Sequence, residues 1–224
     1  RLASGLDVRL GCAARRIEHG AAVTVHHDRG AVTAERAIIA IPPHLIAAID
    51  FTPRLPPERA ALIAQTPMGA VIKCTAIYDR PFWRDAGLSG LSLSDRGPIH
   101  VAFDNSPPDG SCGVLMGFAE ADAARRLGAL DLAGRRSAAV ACFVRAYGDG
   151  AATPRAYVDH VWEHDPWAGG CYGAFCPPGV WTTVGRVIRT PVGRLHWAGT
   201  ETATAWSGYI DGAIASGLRA AAEV

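Results

Sequence analysis

Lysine is almost missing from this chain: of its 22 basic residues only Lys73 is lysine, and the rest are arginine. With so much alanine beside it, the arginine excess reads as genome bias rather than chemistry. Charge of one sign is also lacking. The 22 basic residues balance 21 acidic ones, a net charge of +1, so there is no basic surplus to grip a nucleic-acid backbone. No apolar run approaches the roughly 18 residues of a membrane helix, and no basic-then-apolar leader opens the sequence. No C-x-x-C pair occurs among Cys12, Cys74, Cys112, Cys142, Cys171 and Cys176, which removes the usual zinc and thioredoxin-type sites. Cys171 and Cys176 lack the spacing of a redox pair. A chain of 224 residues, 49% hydrophobic, can bury a core without a disulfide framework, so reduced cytoplasmic thiols are the default. His160 and His164 fall on a strand and its exit rather than on one helix face, and no metal site is expected. His26-His27-Asp28 sits at a turn and reads as solvated. One further absence matters below: no strand is followed by G-x-G-x-x-G.

What is present is a mixture of α and β signals. "AAVTVHHDRGAVTAERAIIAIPP" predicts a hairpin turning at Asp28-Arg29-Gly30, then an apolar strand from Ala37 to Ile41 stopped by Pro42-Pro43. A run such as "AIIAI" suits a buried strand of a parallel sheet, yet nothing before it supplies such a sheet. The chain opens on "RLASGLDVRL", without methionine, and reads as entering a fold part-way. "LPPERAALIAQT" predicts a short helix with proline in its first turn. "MGAVIKCTAIYDRPFW", "PIHVAFDN" and "CGVLMGF" predict strands, the last two paired across "SPPDGS". "AEADAARRL" and "LDLAGRRSAAVACFVRAYGDG" predict helices, the second closing on glycine. "RAYVDHVWE" predicts a strand, Pro166 to Gly179 a loop, "RLHWAG" a strand, and Gly208 to Glu223 a helix.

The end of the chain, "HWAGTETATAWSGYIDGAIASG", is stripped of bulk around Trp197, Trp206 and Tyr209. A strand runs into a glycine- and threonine-rich loop and then a helix. Such loops let backbone N–H groups approach an anion or a flat ring, and the helix N-terminus adds partial positive charge. Gly208, Gly212 and Gly217 could equally serve close packing of helix on strand.

Long segments carry a resemblance. "AGTETATAWSGYIDGAIASGLRAA", "IPPHLIAAIDFTPRLPPERAALIAQTPMGAVIKCTAIYDRPFW" and "VWEHDPWAGGCYGAFCPPGVWTTVGRVIRTPVGRLHWAGTETAT" resemble the flavin-dependent monoamine oxidase family, in colinear order over nearly the whole chain. The resemblance implies an α/β and α+β fold: a partial Rossmann-type FAD-binding domain with an inserted antiparallel-sheet substrate domain. The expected division is 1–62 partial FAD-binding domain, 63–164 substrate-binding domain, and 165–224 the C-terminal part of the FAD-binding domain. Because the dinucleotide fingerprint is lacking, roughly the first half of the enzyme is expected to be absent from this chain.

The resemblance also assigns residues. Cys171 in "GGCYGAFCPPG" matches a cysteine bonded to the flavin's 8α-methyl carbon, against the ordinary alternative of a buried inert thiol. Gly173 and Ala174 depart there from the family's threonine-rich continuation. Tyr172 and Tyr209 match two tyrosines that flank the amine's path and can steer it with their π-faces; otherwise they are core aromatics. Lys73, inside the apolar "AVIKCTAI", matches a lysine that holds a water against the flavin; the alternative is an edge-strand lysine pointing to solvent. In a chain that writes arginine, a retained ammonium suggests that guanidinium would not do. Trp162 matches a tryptophan beside the flavin. Ala14, Gly199, Thr200, Glu201, Gly208 and Ile210, with Tyr209, complete the expected cofactor contacts.

The implied activity is oxidative deamination of primary or other small amines by O2 to aldehyde, ammonia and hydrogen peroxide. FAD is the cofactor, with Cys171 its expected covalent anchor. The expected partners are the amine, O2 and the absent N-terminal half, with a homodimer open to it and neither nucleic acid nor membrane. A cytoplasmic bacterial enzyme is expected, without the apolar tail that mitochondrial relatives carry beyond this helix. Three alternatives stay open: an L-amino-acid oxidase, which would want an arginine for the substrate carboxylate; a polyamine oxidase, for which Asp104 and Glu120 are the available acids; and an inert fragment.

Overall fold

The computed structural model describes residues 2–224. The chain divides into two compact units. One is discontinuous, running up to Met68 and resuming at Gly173; the other is Gly69–Tyr172. The compact units change over after Met68 and Tyr172. Packing explains the first: Leu62 and Ile63 close helix α2 (Pro57–Gln65) onto two apolar clusters of the discontinuous unit. A backbone bond explains the second, since the Cys171 N–H donates to the Gly69 carbonyl at 2.8 Å.

In the discontinuous unit, β1 (Ala14–His19), β2 (Val23–His27) and β3 (Gly30–Ala34) form an antiparallel meander. After β4 (Ala37–Ile39) and the short helix α1 (Pro43–Ile46) comes β5 (Asp50–Thr52), which joins β1 in parallel. The apolar strand β4 pairs in parallel with β11 (Leu195–Trp197). Among the described residues the two form a sheet of their own. The short helix α6 (Val180–Thr183) precedes β11, and from β11 the chain turns through Gly199 into a 3₁₀ turn, Thr200–Thr202, and on to helix α7 (Ile210–Ala222).

The other unit is built on a five-stranded antiparallel sheet. Its strands are β6 (Val71–Tyr78), β7 (Ser92–Leu93), β8 (Val101–Asp104), β9 (Gly113–Glu120) and β10 (Ala156–Val161), in the order β10-β6-β9-β8-β7. The short helix α3 (Phe82–Asp85) follows β6, and helices α4 (Ala121–Gly128) and α5 (Leu132–Tyr147) follow β9. Alternation along β6 sends Ile72, Cys74, Ala76 and Tyr78 into a core with Trp83, Leu115, Phe143 and Tyr147. Lys73, Thr75 and Ile77 take the opposite face. Asp131 caps α5 by accepting from the Gly134 N–H at 2.8 Å. Asp159, its side chain almost wholly buried, accepts two bonds from Arg135 of α5 at 2.8 and 3.0 Å and one from the Tyr157 hydroxyl at 3.1 Å. Helix and sheet are thus tied by a fully paired ionic contact.

Asp104, a candidate acid in the sequence, is engaged in the fold. Its carboxylate accepts from Trp83 Nε1 at 2.9 Å, Arg84 Nε at 2.7 Å and the Ser106 N–H at 2.9 Å. Burial raises its pKa, but these donors more than offset that and hold it well below the usual carboxylate range. A depressed folded value stabilises the fold above the unfolded carboxylate pKa of about 3.9, and this contribution disappears as pH falls below it. Asp104→Asn is therefore expected to unfold at lower denaturant than the parent near neutral pH. The gap should narrow below about pH 4. Urea titrations of both proteins across that range check it; a gap independent of pH would contradict it.

Candidate active site

The Gly69–Tyr172 unit brings four of the expected site residues onto one region. Lys73 lies on β6, which has β10 on one side and β9 on the other. It is thus an interior-strand lysine, and the edge-strand alternative fails. It stands opposite His160 and Phe118 in the strand register, with Nζ 5.7 Å from the Phe118 ring centre. Among the described residues it has no ion-pair partner. The Cys171 backbone is held against Gly69, at the entry to β6. Burial pushes the Cys171 thiol up, and the Lys73 charge acts against that. Tyr172 is 60% exposed, packs at 6.2 Å from Phe118, and has its phenol pushed up to about 12, mainly by desolvation and then by the Glu120 carboxylate. Trp162 follows β10; its ring meets His160 edge-on at 4.3 Å, and its buried Nε1–H has no acceptor among the described residues.

The discontinuous unit gathers the other group. Gly199 takes φ +106, conformational space that suits glycine, and its N–H donates to Ser216 Oγ at 3.0 Å. Thr200 Oγ1 accepts from the Gly208 N–H at 2.6 Å and donates to the Tyr209 carbonyl at 3.1 Å. Glu201 accepts from the Ala174 N–H at 3.4 Å, tying the segment after Cys171 to the loop after β11. Gly199, Thr200, Glu201, Gly208, Tyr209 and Ile210 therefore form one loop-and-helix-start cluster, with Tyr209 and Ile210 exposed. Ala14 lies on a different sheet, at the start of β1.

The glycines of this end separate into two kinds. A Cβ at Gly212 would run into the Trp206 carbonyl oxygen, so this glycine serves backbone packing. A Cβ at Gly208 or Gly217 would meet nothing within 4 Å; Gly208, at φ +87, is needed for its conformation. Space for a flat group thus remains where the loop turns into α7. The first-turn N–H groups of a helix lack intrahelical partners and favour a phosphate oxygen. The open loop and the helix start are compatible with a flavin nucleotide.

Two arginines escaped the sequence reading. Arg59 of α2 is buried, stacks 4.0 Å above Trp197 and donates to the carbonyls of Ile188, Val187 and Thr190. Burial among neutral acceptors lowers its pKa to about 10. Arg219 of α7 donates to the Trp197 carbonyl at 2.6 Å and to Thr202 Oγ1 at 3.2 Å. Both hold the strand and loop that carry Gly199, and in the sequence they look like any surface arginine on a helix.

One unit built on an antiparallel sheet, and another holding a parallel strand pair with a glycine loop opening a helix, are the parts of an FAD-dependent oxidoreductase fold. The chain belongs to the flavin containing amine oxidoreductase family, whose signature it matches over residues 1–224. AofH of Mycobacterium tuberculosis, which carries the name flavin-containing monoamine oxidase, is 48% identical over 98% of this chain and 48% of its own length. An L-amino acid dehydrogenase of Synechocystis is 41% identical over 89% of this chain and 42% of its own. A solved putrescine oxidase, redesigned in its cofactor binding, superposes with a TM-score of 0.93 at 32% identity, covering 99% of this chain and 50% of that one. The chain spans about half the length of the relatives it matches. Among the described residues no helix is long and apolar enough to cross a membrane.

Proposed function

We propose that this chain is the C-terminal part of a flavin-dependent amine oxidase that deaminates primary or other small amines with O2, giving aldehyde, ammonia and hydrogen peroxide. The observation that carries the reading is the seating of Cys171, directly before Tyr172, against Gly69 at the entry to β6 and within the field of Lys73. Flavin supplies the redox chemistry when bound. The chain supplies its placement. Cys171 is the covalent anchor for FAD; Gly199, Thr200, Glu201, Gly208 and Ile210 hold it at the loop and the start of α7, with Ala14 contributing from β1. Trp162 offers its free indole N–H to it. Tyr172 and Tyr209 present aromatic faces to the amine, which must arrive neutral to lose its α-hydrogen. Lys73 holds a water and a positive charge near the reacting ring. Other polypeptide completes the FAD-binding domain, a reading supported by the half-length match and by the exposed Ile210, Ile214 and Leu218 along α7. A cytoplasmic bacterial enzyme acting without membrane or nucleic acid, with a homodimer open to it, fits the composition.

Amino-acid or polyamine oxidation is the second reading, favoured by the names of two of the relatives. Against a polyamine tunnel, Asp104 is fully engaged by Trp83, Arg84 and Ser106.

The anchor is tested in the full-length enzyme. Acid-precipitated parent should give a yellow pellet, and Cys171→Ala a colourless one with the flavin in the supernatant. Colour retained in the Cys171→Ala pellet would place the linkage elsewhere.

A further inference from the structure

Glu120 has no place in the machinery described so far, and its surroundings are unusual. It ends β9, two residues after Phe118, so both side chains take the same face of the sheet. Its register partner is Val71, two residues before Lys73's own place on β6. The chain then turns sharply: Ala121 adopts φ +50, rare for a residue with a side chain, and its N–H is tied to the Ala70 carbonyl at 2.9 Å. Glu120 is therefore fixed in direction by two backbone anchors. Although the chain holds many arginines, none pairs with this half-buried carboxylate among the described residues. Tyr172 packs its ring on Phe118, the residue two before Glu120 on the same face of the strand, and the Glu120 carboxylate helps push the Tyr172 phenol up.

We propose that Glu120 is a positioning residue: its carboxylate accepts the phenolic hydrogen of Tyr172 and, with Phe118 against the ring, sets the plane that Tyr172 presents to the amine. The inference rests on the assignment of Tyr172 to the amine's path. Its logic is mechanical. A tyrosine that is 60% exposed turns freely about χ1 and χ2 unless both its face and its tip are held. Phe118 holds the face; Glu120 holds the tip. A carboxylate suits the task better than a neutral acceptor, since a hydrogen bond to a charged acceptor is about twice as strong. It also keeps the hydroxyl as a donor to itself, so the phenolic hydrogen does not compete for the substrate amine's lone pair.

The test uses the full-length enzyme with its flavin, benzylamine as the probe amine, and the variants Glu120→Gln, Glu120→Leu, Tyr172→Phe and Glu120→Leu with Tyr172→Phe. Tyrosine labelled at Cζ gives a resonance for Tyr172, assigned by its loss in Tyr172→Phe. Donation to a carboxylate moves that resonance toward the tyrosinate position. It should retreat partly in Glu120→Gln and further in Glu120→Leu, at neutral pH where the enzyme is folded. In the same series kcat/KM for benzylamine should fall roughly five- to tenfold in Glu120→Leu and recover in part in Glu120→Gln. Adding Glu120→Leu to Tyr172→Phe should cost nothing more. An unmoved Cζ resonance in Glu120→Leu, beside a Tyr172→Phe variant that is impaired, overturns the positioning role alone. Unchanged benzylamine turnover in Tyr172→Phe overturns the assignment of Tyr172 itself, and this inference with it.

Discussion

Lys73→Met should slow reoxidation of the reduced full-length enzyme by oxygen about a hundredfold, the scale of losing one preorganised charge aimed at a developing anion. Anaerobic reduction by the amine should change by no more than a few-fold. The asymmetry follows from where charge appears. Oxygen gains negative charge as it accepts electrons, and an ammonium close by stabilises that charge without having to reorganise. The amine's oxidation begins from a neutral molecule and gains little from a cation. Position supports the assignment: Lys73 is on an interior strand, its face of the sheet carries Phe118, and no carboxylate among the described residues neutralises it. Methionine keeps the length and the strand's packing. Rapid mixing of reduced enzyme with oxygen measures the first rate and stopped-flow reduction the second. Equal reoxidation in parent and Lys73→Met would make Lys73 a structural residue and return its uniqueness to codon bias.

How much of this was legible in the sequence depended on the range over which each cause acts. Local causes were readable. The β-formers of "MGAVIKCTAIY", proline opening α2 and glycine closing α5 all act within a few residues, and those elements appear where expected. The helix after "AWSGY" begins at Ile210 rather than Gly208 because Trp206 and Gly208 both take positive φ. Long-range causes were not readable. "AIIAI" announces a parallel strand, but nothing in it names "LHW" as the partner. Gly208 and Gly212 look alike in the sequence, and only the Trp206 carbonyl pressed on one of them tells them apart. Arg59 looks like a surface residue of an amphipathic helix until the carbonyls of 187–190 are seen to surround it. Glu120 was weighed as a tunnel acid because its true neighbour, Tyr172, arrives from a distant loop. The family's motifs located Cys171 and Lys73 without showing what holds them.

That support is the subject of the second large effect: Gly69→Ala should dislodge Cys171. Gly69 lies where the chain enters β6, and its carbonyl accepts the Cys171 N–H. A Cβ on Gly69 would run into the Cys171 carbonyl oxygen and press on its carbonyl carbon. Backbone cannot step aside as a flexible side chain would, so either the hydrogen bond breaks or the loop shifts. A shift of about 1 Å in a reacting group can cost about a hundredfold in rate. Attachment of flavin to Cys171 in the full-length enzyme should therefore fall at least tenfold in extent at a fixed expression time, on that same scale. The lost bond and the crowding should together cost about 2 kcal/mol of stability. Gly173→Ala supplies the comparison. It lies just past the same cysteine, and a Cβ there would find only Glu201 Oε1, at 3.8 Å. It should retain flavin and stability close to the parent's. Colour in the acid-precipitated pellet, thermal unfolding and circular dichroism read all three proteins. A Gly69→Ala protein that is folded and fully yellow would show that the Gly69 contact does not place the cysteine. A folded, colourless Gly69→Ala beside a yellow Gly173→Ala would show that the seat of Cys171, and not merely its thiol, makes the anchor.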